Sequence, residues 1–255
     1  MSVQNVPGKL LAWFAAHPRF TLAFSGGCDS AYLFYAATVC GADFAACYVK
    51  SAFQPEFELE DARRLARELG REIDIIELDV LADEKVRANP KDRCYFCKQR
   101  IFSAICERAR TLGYGLVIDG TNASDDASDR PGMRALRELA VRSPLRECGL
   151  TKPEIRKLSR EAGLFTWDKP AYACLATRIP TGERITAEKL SRTEAAESWL
   201  MALGLRDFRV RMQGSAAKLQ VRSADLPMVM QNRARIVEEL KKYYPMILLD
   251  LEVRE

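Results

Sequence analysis

The sequence contains a single histidine, His17, so a structural zinc site, which needs four protein ligands, would have to be built almost wholly from cysteine. No apolar run approaches the roughly 18–20 residues of a membrane span, which excludes a helical membrane anchor. The N-terminal segment lacks a charged start, a continuous apolar core and a small-residue cleavage site, so the expected location is cytoplasmic. There the eight cysteines stay reduced unless they bind metal or do chemistry. An excess of one sign of charge is also lacking, with 39 Lys and Arg against 35 Asp and Glu. The formal net charge of +4 suits anionic ligands but is too small to indicate nucleic acid. Internal repeats, low-complexity tracts and long linkers are absent. So is a Gly-Lys-Ser/Thr after a four-residue spacer, which excludes the Walker phosphate loop.

What remains is the composition of a globular protein, with 48% hydrophobic and 29% charged residues over 255 positions. That length predicts one large or two unequal domains. Residues 3–16 read as an amphipathic helix and Arg19–Phe24 as a strand. Residues 31–40 read as a buried helix ending near Gly41. Strands follow at 43–49, 73–79 and 116–120, and helices at 57–70, 132–140 and 152–163. Strands alternating with helices at this spacing predict an α/β fold, a parallel sheet with helices on both faces. The pattern changes near residue 185. A helix capped by Thr186 precedes two short strands around Gly214, a long helical stretch to about Tyr243 and a last strand at 246–253. The expected division is therefore 1–184 and a small α+β domain at 185–255.

The order strand, Ser-Gly-Gly-Cys-Asp-Ser, helix is the informative feature. Gly26 and Gly27 let the backbone turn tightly and approach an anion without a Cβ in the way. Free loop N–H groups and the helix N-terminus then point at a phosphate. Ser25 and Ser30 add hydroxyl donors, and Asp29 suits a phosphate-bound metal. Asp119, Thr121 and Asn122 follow a strand end, where open α/β sheets bind ligands, and are candidates for the same nucleotide site.

Further stretches follow in order: PKDRCYFCKQR (90–100), DGTNASDD (119–126), RPGMRALRELAVRSPL (130–145), TKPEIR (151–156), KPAYACLATRIPTGERIT (169–186) and FRVRMQG (208–214). With the loop, they resemble the LarE family of ATP-dependent sulfur transferases, within the pyrophosphate-loop ATP pyrophosphatases, over nearly the whole chain. The resemblance implies an adenine nucleotide alpha hydrolase-like fold using ATP and Mg²⁺. The implied substrate is a small nucleotide, a pyridinium dicarboxylate mononucleotide. Its carboxylate is adenylated with release of pyrophosphate and converted to a thiocarboxylate, a step in making the ligand of a nickel-pincer cofactor. It makes Cys174 the sulfur-bearing cysteine, with Arg178 and Lys169 near it in sequence. Some members spend that cysteine and leave dehydroalanine. Others add a CxxC pair, here Cys94 and Cys97, and hold a [4Fe-4S] cluster on three cysteines, leaving one iron open for sulfide. This chain is similar to the second kind.

Arg209 and Arg211 alternate along a predicted strand, so both face one side. They match the family's paired arginines, suited to a substrate phosphate. Glu197, on a helix read as exposed, matches a family carboxylate near the active centre. Gln220 departs from the acidic residue usual there, which unsettles metal binding by the tail or the substrate's identity. The tail is expected to carry substrate contacts and the surface of a homo-oligomer. Cys28, Cys40, Cys47, Cys106 and Cys148 read as small core residues. Zinc or a redox pair at the CxxC stays open, as do three rival functions. These are a tRNA thiolase, which usually carries a further RNA-binding module, an ammonia-using amide synthetase, which would leave the cysteines without a task, and a non-enzymatic nucleotide sensor.

Overall fold

The computed structural model describes residues 3–125 and 131–254. Asp126 and Arg130, the ends of two of the quoted motifs, lie outside the described residues. The chain divides into two compact units, one made of 1–80 with 92–169, the other of 81–91 with 170–255.

The first unit is built on four parallel strands: β1 (Arg19–Ala23), β2 (Asp43–Lys50), β3 (Asp74–Glu77) and β4 (Val117–Ile118), in the order β3-β2-β1-β4. Its helices are α1 (Gly8–Ala16), α2 (Cys28–Val39), α3 (Glu56–Glu68), α4 (Arg93–Thr111), α5 (Pro131–Glu138) and α6 (Lys152–Glu161). Both sheet faces are covered. Phe20, Leu22 and Phe24 pack in one core with α1, α2, α3 and α6, whereas Ala23 packs in the other with α4 and α5. Period-two alternation along β1 sends neighbouring side chains to opposite cores. α2 is buried on nearly every side, as its low-polarity sequence requires. By contrast α3 buries only the stripe Leu59, Ala62, Leu65 and Ala66.

Two sequence expectations shift here. The opening helix is a 3₁₀ turn at Val3–Asn5 and a separate α1, divided by Pro7, which cannot donate within a helix. The 19-residue α4 was not legible as a helix, because its start is the polar, cysteine-bearing PKDRCYFCK segment.

The second unit holds β5 (Arg209–Gln213), β6 (Ala216–Gln220) and β7 (Ile247–Leu249). β5 and β6 pair antiparallel around Gly214, whose φ of +59° suits the turn, and β7 joins β6 in parallel. Thr186 caps α7 (Ala187–Ala202) by accepting from the Lys189 N–H at 3.2 Å. The expected long helix is interrupted. α8 (Leu226–Gln231) and α9 (Arg233–Leu240) are separated at Asn232, whose side-chain amide donates to the Met228 carbonyl. Residues 170–184 belong to this unit together with 81–91. Asn89 is buried and donates to the carbonyls of Pro180 and Glu183, tying the two segments together.

Candidate active site

In an open parallel sheet ordered β3-β2-β1-β4, the strand order reverses between β1 and β4, and ligands bind beyond the strand ends at that point. β1 runs into the Ser25–Ser30 loop and β4 into Asp119–Asn122, so the two candidate segments share one crevice. It contains a cavity of about 330 Å³ lined by Ser25, Gly27, Asp29, Ser30, Asp119 and Thr121, among others. Gly26 adopts φ +72°, and a Cβ there would stand 3.1 Å from the Glu58 carbonyl oxygen. Ser25 and Ser30 hydroxyls hydrogen-bond to each other at 3.0 Å, and Ser30 Oγ donates to the Gly27 carbonyl at 3.1 Å. The loop is thus closed on itself with the first N–H groups of α2 behind it. Across the crevice, a Cβ on Gly120 would come within 2.8 Å of the Ser30 nitrogen, so the two segments meet backbone to backbone.

Asp29 carries the site's most suggestive atoms. Its Oδ2 accepts from Lys152 Nζ at 2.7 Å, while its Oδ1 is buried without a hydrogen-bond partner. An orphaned carboxylate oxygen beside a cavity lined by the Ser25–Ser30 loop fits a phosphate-bound Mg²⁺. Asp119 is oriented by Ser143 Oγ at 2.6 Å and by the Thr121 hydroxyl and N–H. Asn122 is buried, its Oδ1 accepting from the Ser124 N–H at 2.8 Å, so it shapes the turn. Lys169 reaches this loop as well, pairing with Asp61 at 2.7 Å and donating to the Gly26 carbonyl at 3.5 Å. Sequence reasoning missed Lys152, Lys98 and Ser143. All three stand in quoted motifs, but the pairing of Lys152 with Asp29 spans 123 positions and leaves no local signal.

Cys94 and Cys97 stand in the first turns of α4, three apart and therefore on one helix side. Cys94 is exposed, and its Sγ accepts from the guanidinium of the buried Arg93 at 3.7 Å. Cys174 belongs to the other unit. Among the described residues no three His, Cys, Asp or Glu side chains are gathered to hold a metal ion. Cys94 and Cys97 are two of the three thiolates that the [4Fe-4S] cluster implied by the resemblance would need. The remaining cysteines behave as core residues. Burial raises the thiols of Cys28, Cys40, Cys106 and Cys148, and pushes Cys47 up to about 12.

No family model matches the chain. An uncharacterized Synechocystis protein is 37% identical over 249 residues, 96% of this chain and 92% of the relative. The pyridinium-3,5-bisthiocarboxylic acid mononucleotide synthase of Lactiplantibacillus plantarum is 34% identical over 208 residues, 81% of this chain and 75% of that enzyme. The chain belongs to the LarE family. A tRNA-specific 2-thiouridylase of Geobacter metallireducens, 27% identical over 44% of this chain and 38% of its own length, marks the wider pyrophosphate-loop superfamily.

Cys174, Arg178, Glu197, Arg209 and Arg211 all fall within the second unit. Arg178 and Glu197 form a pair with side chains 0% and 1% exposed, joined at 2.8 and 3.0 Å. Glu197 is thus buried, not on a solvated helix face, and also accepts from the Val210 N–H and the Tyr172 hydroxyl. Arg209 is buried and donates to the Phe208 and Ala171 carbonyls. Burial, with Arg178 and Arg254 nearby, pulls its guanidinium down to about 10. Arg211 is half-buried and donates to Gln220 Oε1 and the Thr177 carbonyl. Gln220 in turn donates to Asp250, so a neutral amide relays between Arg211 and that carboxylate. Cys174 is half-buried, and its carbonyl accepts from the Thr177 N–H and hydroxyl.

Proposed function

We propose that this protein activates a carboxylate of pyridinium-3,5-dicarboxylate mononucleotide with ATP and replaces one of its oxygens by sulfur. The carrying observation is the self-closed loop with its orphaned Asp29 Oδ1, in a chain 34% identical to a synthase of the bisthiocarboxylic acid mononucleotide. The substrate carboxylate oxygen attacks the α-phosphorus of ATP, the α–β bond breaks and pyrophosphate leaves. A carboxylate is a poor electrophile, and the mixed anhydride supplies a leaving group. Sulfur attacks the acyl carbon, the C–O bond breaks, and AMP departs with the electron pair. Loop and helix N–H groups hold the phosphates, Asp29 holds Mg²⁺, and Asp119, Thr121 and Asn122 shape the nucleotide seat.

Cys174, Cys94 and Cys97 would hold a [4Fe-4S] cluster, whose open iron would present sulfide, so the sulfur transferred is sulfide and the Cys174 Cβ–S bond stays intact. Arg178 and Glu197 support the Cys174 segment, and Arg209 and Arg211 take the substrate phosphate. A cytoplasmic homo-oligomer completes the reading. Among the described residues no helix is long and apolar enough to cross a membrane. The test incubates the protein with ATP, Mg²⁺, sulfide and the dicarboxylate mononucleotide, measuring AMP, pyrophosphate and thiocarboxylate. AMP formation that ignores the mononucleotide, or none at all, would sink the proposal. Thiolation of transcribed tRNA instead would establish the rival.

A further inference from the structure

A second cavity of about 320 Å³ adjoins the first, and Lys98, Thr121 and Asp125 line both. Among the described residues, the rest of its lining is largely apolar: Pro131 and Met133 of α5, the bare backbone of Gly132, and Cys94 of α4. Lys98 follows Cys94 by four residues, so both side chains emerge on one side of α4. Its ammonium makes no hydrogen bond or ion pair with any described residue. Gly132 explains how the lysine reaches that place. A Cβ there would stand 3.0 Å from Lys98 Cδ, 3.1 Å from Cε and 3.4 Å from Nζ. Without one, the lysine stem lies against α5 and carries its charge to the wall common to both cavities.

We propose that the second cavity is the acyl subsite, taking a planar aromatic carboxylate, with Lys98 gripping the carboxylate where the cavities join. This rests on the ATP-driven carboxylate activation proposed above. Three features select that ligand class. The volume is at the small end of the roughly 300–1,000 Å³ typical of ligand sites. Its apolar side suits a ring, whereas pyrophosphate would need several donors there. Among the described residues, the one cation of its lining lies at the junction with the phosphate cavity, where two anions must be brought together to react. A positive charge between them offsets their repulsion. A thiol, Cys94, lines the same space.

The test measures binding of a non-hydrolysable ATP analogue and of pyridinium-3,5-dicarboxylate mononucleotide by calorimetry. The unaltered protein is compared with Gly132→Leu, which fills the second cavity, and Lys98→Met, which keeps the stem and removes the charge. Gly132→Leu should weaken the mononucleotide at least 10-fold while leaving the analogue within about twofold, which also certifies the fold. Lys98→Met loses one charge-assisted contact, expected to cost about 10–150-fold in mononucleotide affinity. It should also erase the preference for the dicarboxylate over nicotinamide mononucleotide, a selectivity that a packing role would not move. Unchanged mononucleotide binding in both variants overturns the subsite and leaves the proposed function standing. Equal loss of both ligands in Gly132→Leu also overturns it, assigning the cavity to the nucleotide. No binding by the unaltered protein overturns the proposed substrate and the subsite together.

Discussion

Replacing Gly120 with alanine tests the crevice at its narrowest point. The added Cβ would meet the Ser30 nitrogen at 2.8 Å, its Cα at 3.0 Å and its Cβ at 3.2 Å. Ordinary contact between such atoms is about 3.5–4.0 Å. The segments must therefore part by roughly 0.5–1 Å, and since the obstacle is backbone, no rotamer change relieves it. Overpacking of this kind costs about 1–3 kcal/mol. For a chain of this size that lowers the melting temperature by roughly 2–12 °C. The functional loss should exceed the stability loss, because the displaced atom belongs to the loop that faces phosphate. A 1 Å misplacement of binding groups costs on the order of 100-fold in rate. Scanning calorimetry gives the first number and titration with an ATP analogue the second. A Gly120→Ala protein with unaltered melting and unaltered nucleotide affinity would refute the backbone-to-backbone closure of β1 and β4 loops.

Asp29→Asn keeps the side-chain shape but removes the charge. Its pair with Lys152 is about a quarter to a third exposed, so stability should change by under about 1 kcal/mol while AMP formation falls at least 100-fold; a near-native rate would exclude Asp29 from the nucleotide site. Glu197→Gln leaves the buried Arg178 charge uncompensated, at an expected cost of about 3–5 kcal/mol by denaturant titration, part of which an added Arg178→Met should restore. The Arg142 guanidinium holds the Glu147 carboxyl at about 2, against 4.5 for an unperturbed glutamate, with further help from Trp13 and Ser143. A depressed carboxyl contributes stability above its unfolded value that is lost as pH falls through the folded one. Unfolding curves of Glu147→Gln should therefore lose less stability than the parent between about pH 5 and 2. Iodoacetamide at pH 8 should label exposed Cys94 first and buried Cys47, raised to about 12, last; the reverse order by peptide mass spectrometry would contradict the burial pattern. Anaerobic reconstitution should give about four irons per chain, reduced by Cys→Ala at Cys94, Cys97 or Cys174; a stable zinc with a fourth cysteine ligand would instead favour the structural-metal reading.

The sequence by itself determined the local features: the strand–loop–helix order around Ser25–Ser30, the alternation that makes a parallel sheet, and the Thr186 cap. These rest on periodicity, glycine freedom and capping chemistry, which act over a few residues. Its motif order also carried the LarE resemblance that the relatives support. It could not show that PKDRCYFCK opens a long helix, because the docking of Phe102, Ile105 and Ala109 against the sheet decides that. Nor could it show that Asn232 splits the last helical stretch. It misread Glu197, since an amphipathic helix does not announce that one carboxylate will be buried by an arginine from the segment that precedes it, 19 positions earlier. Lys152 against Asp29, Ser143 on Asp119 and Lys98 against Gly132 are likewise decided only in three dimensions. Each pairs groups far apart in the chain, and only the packing of strands and helices selects which charges face the crevice and which face water.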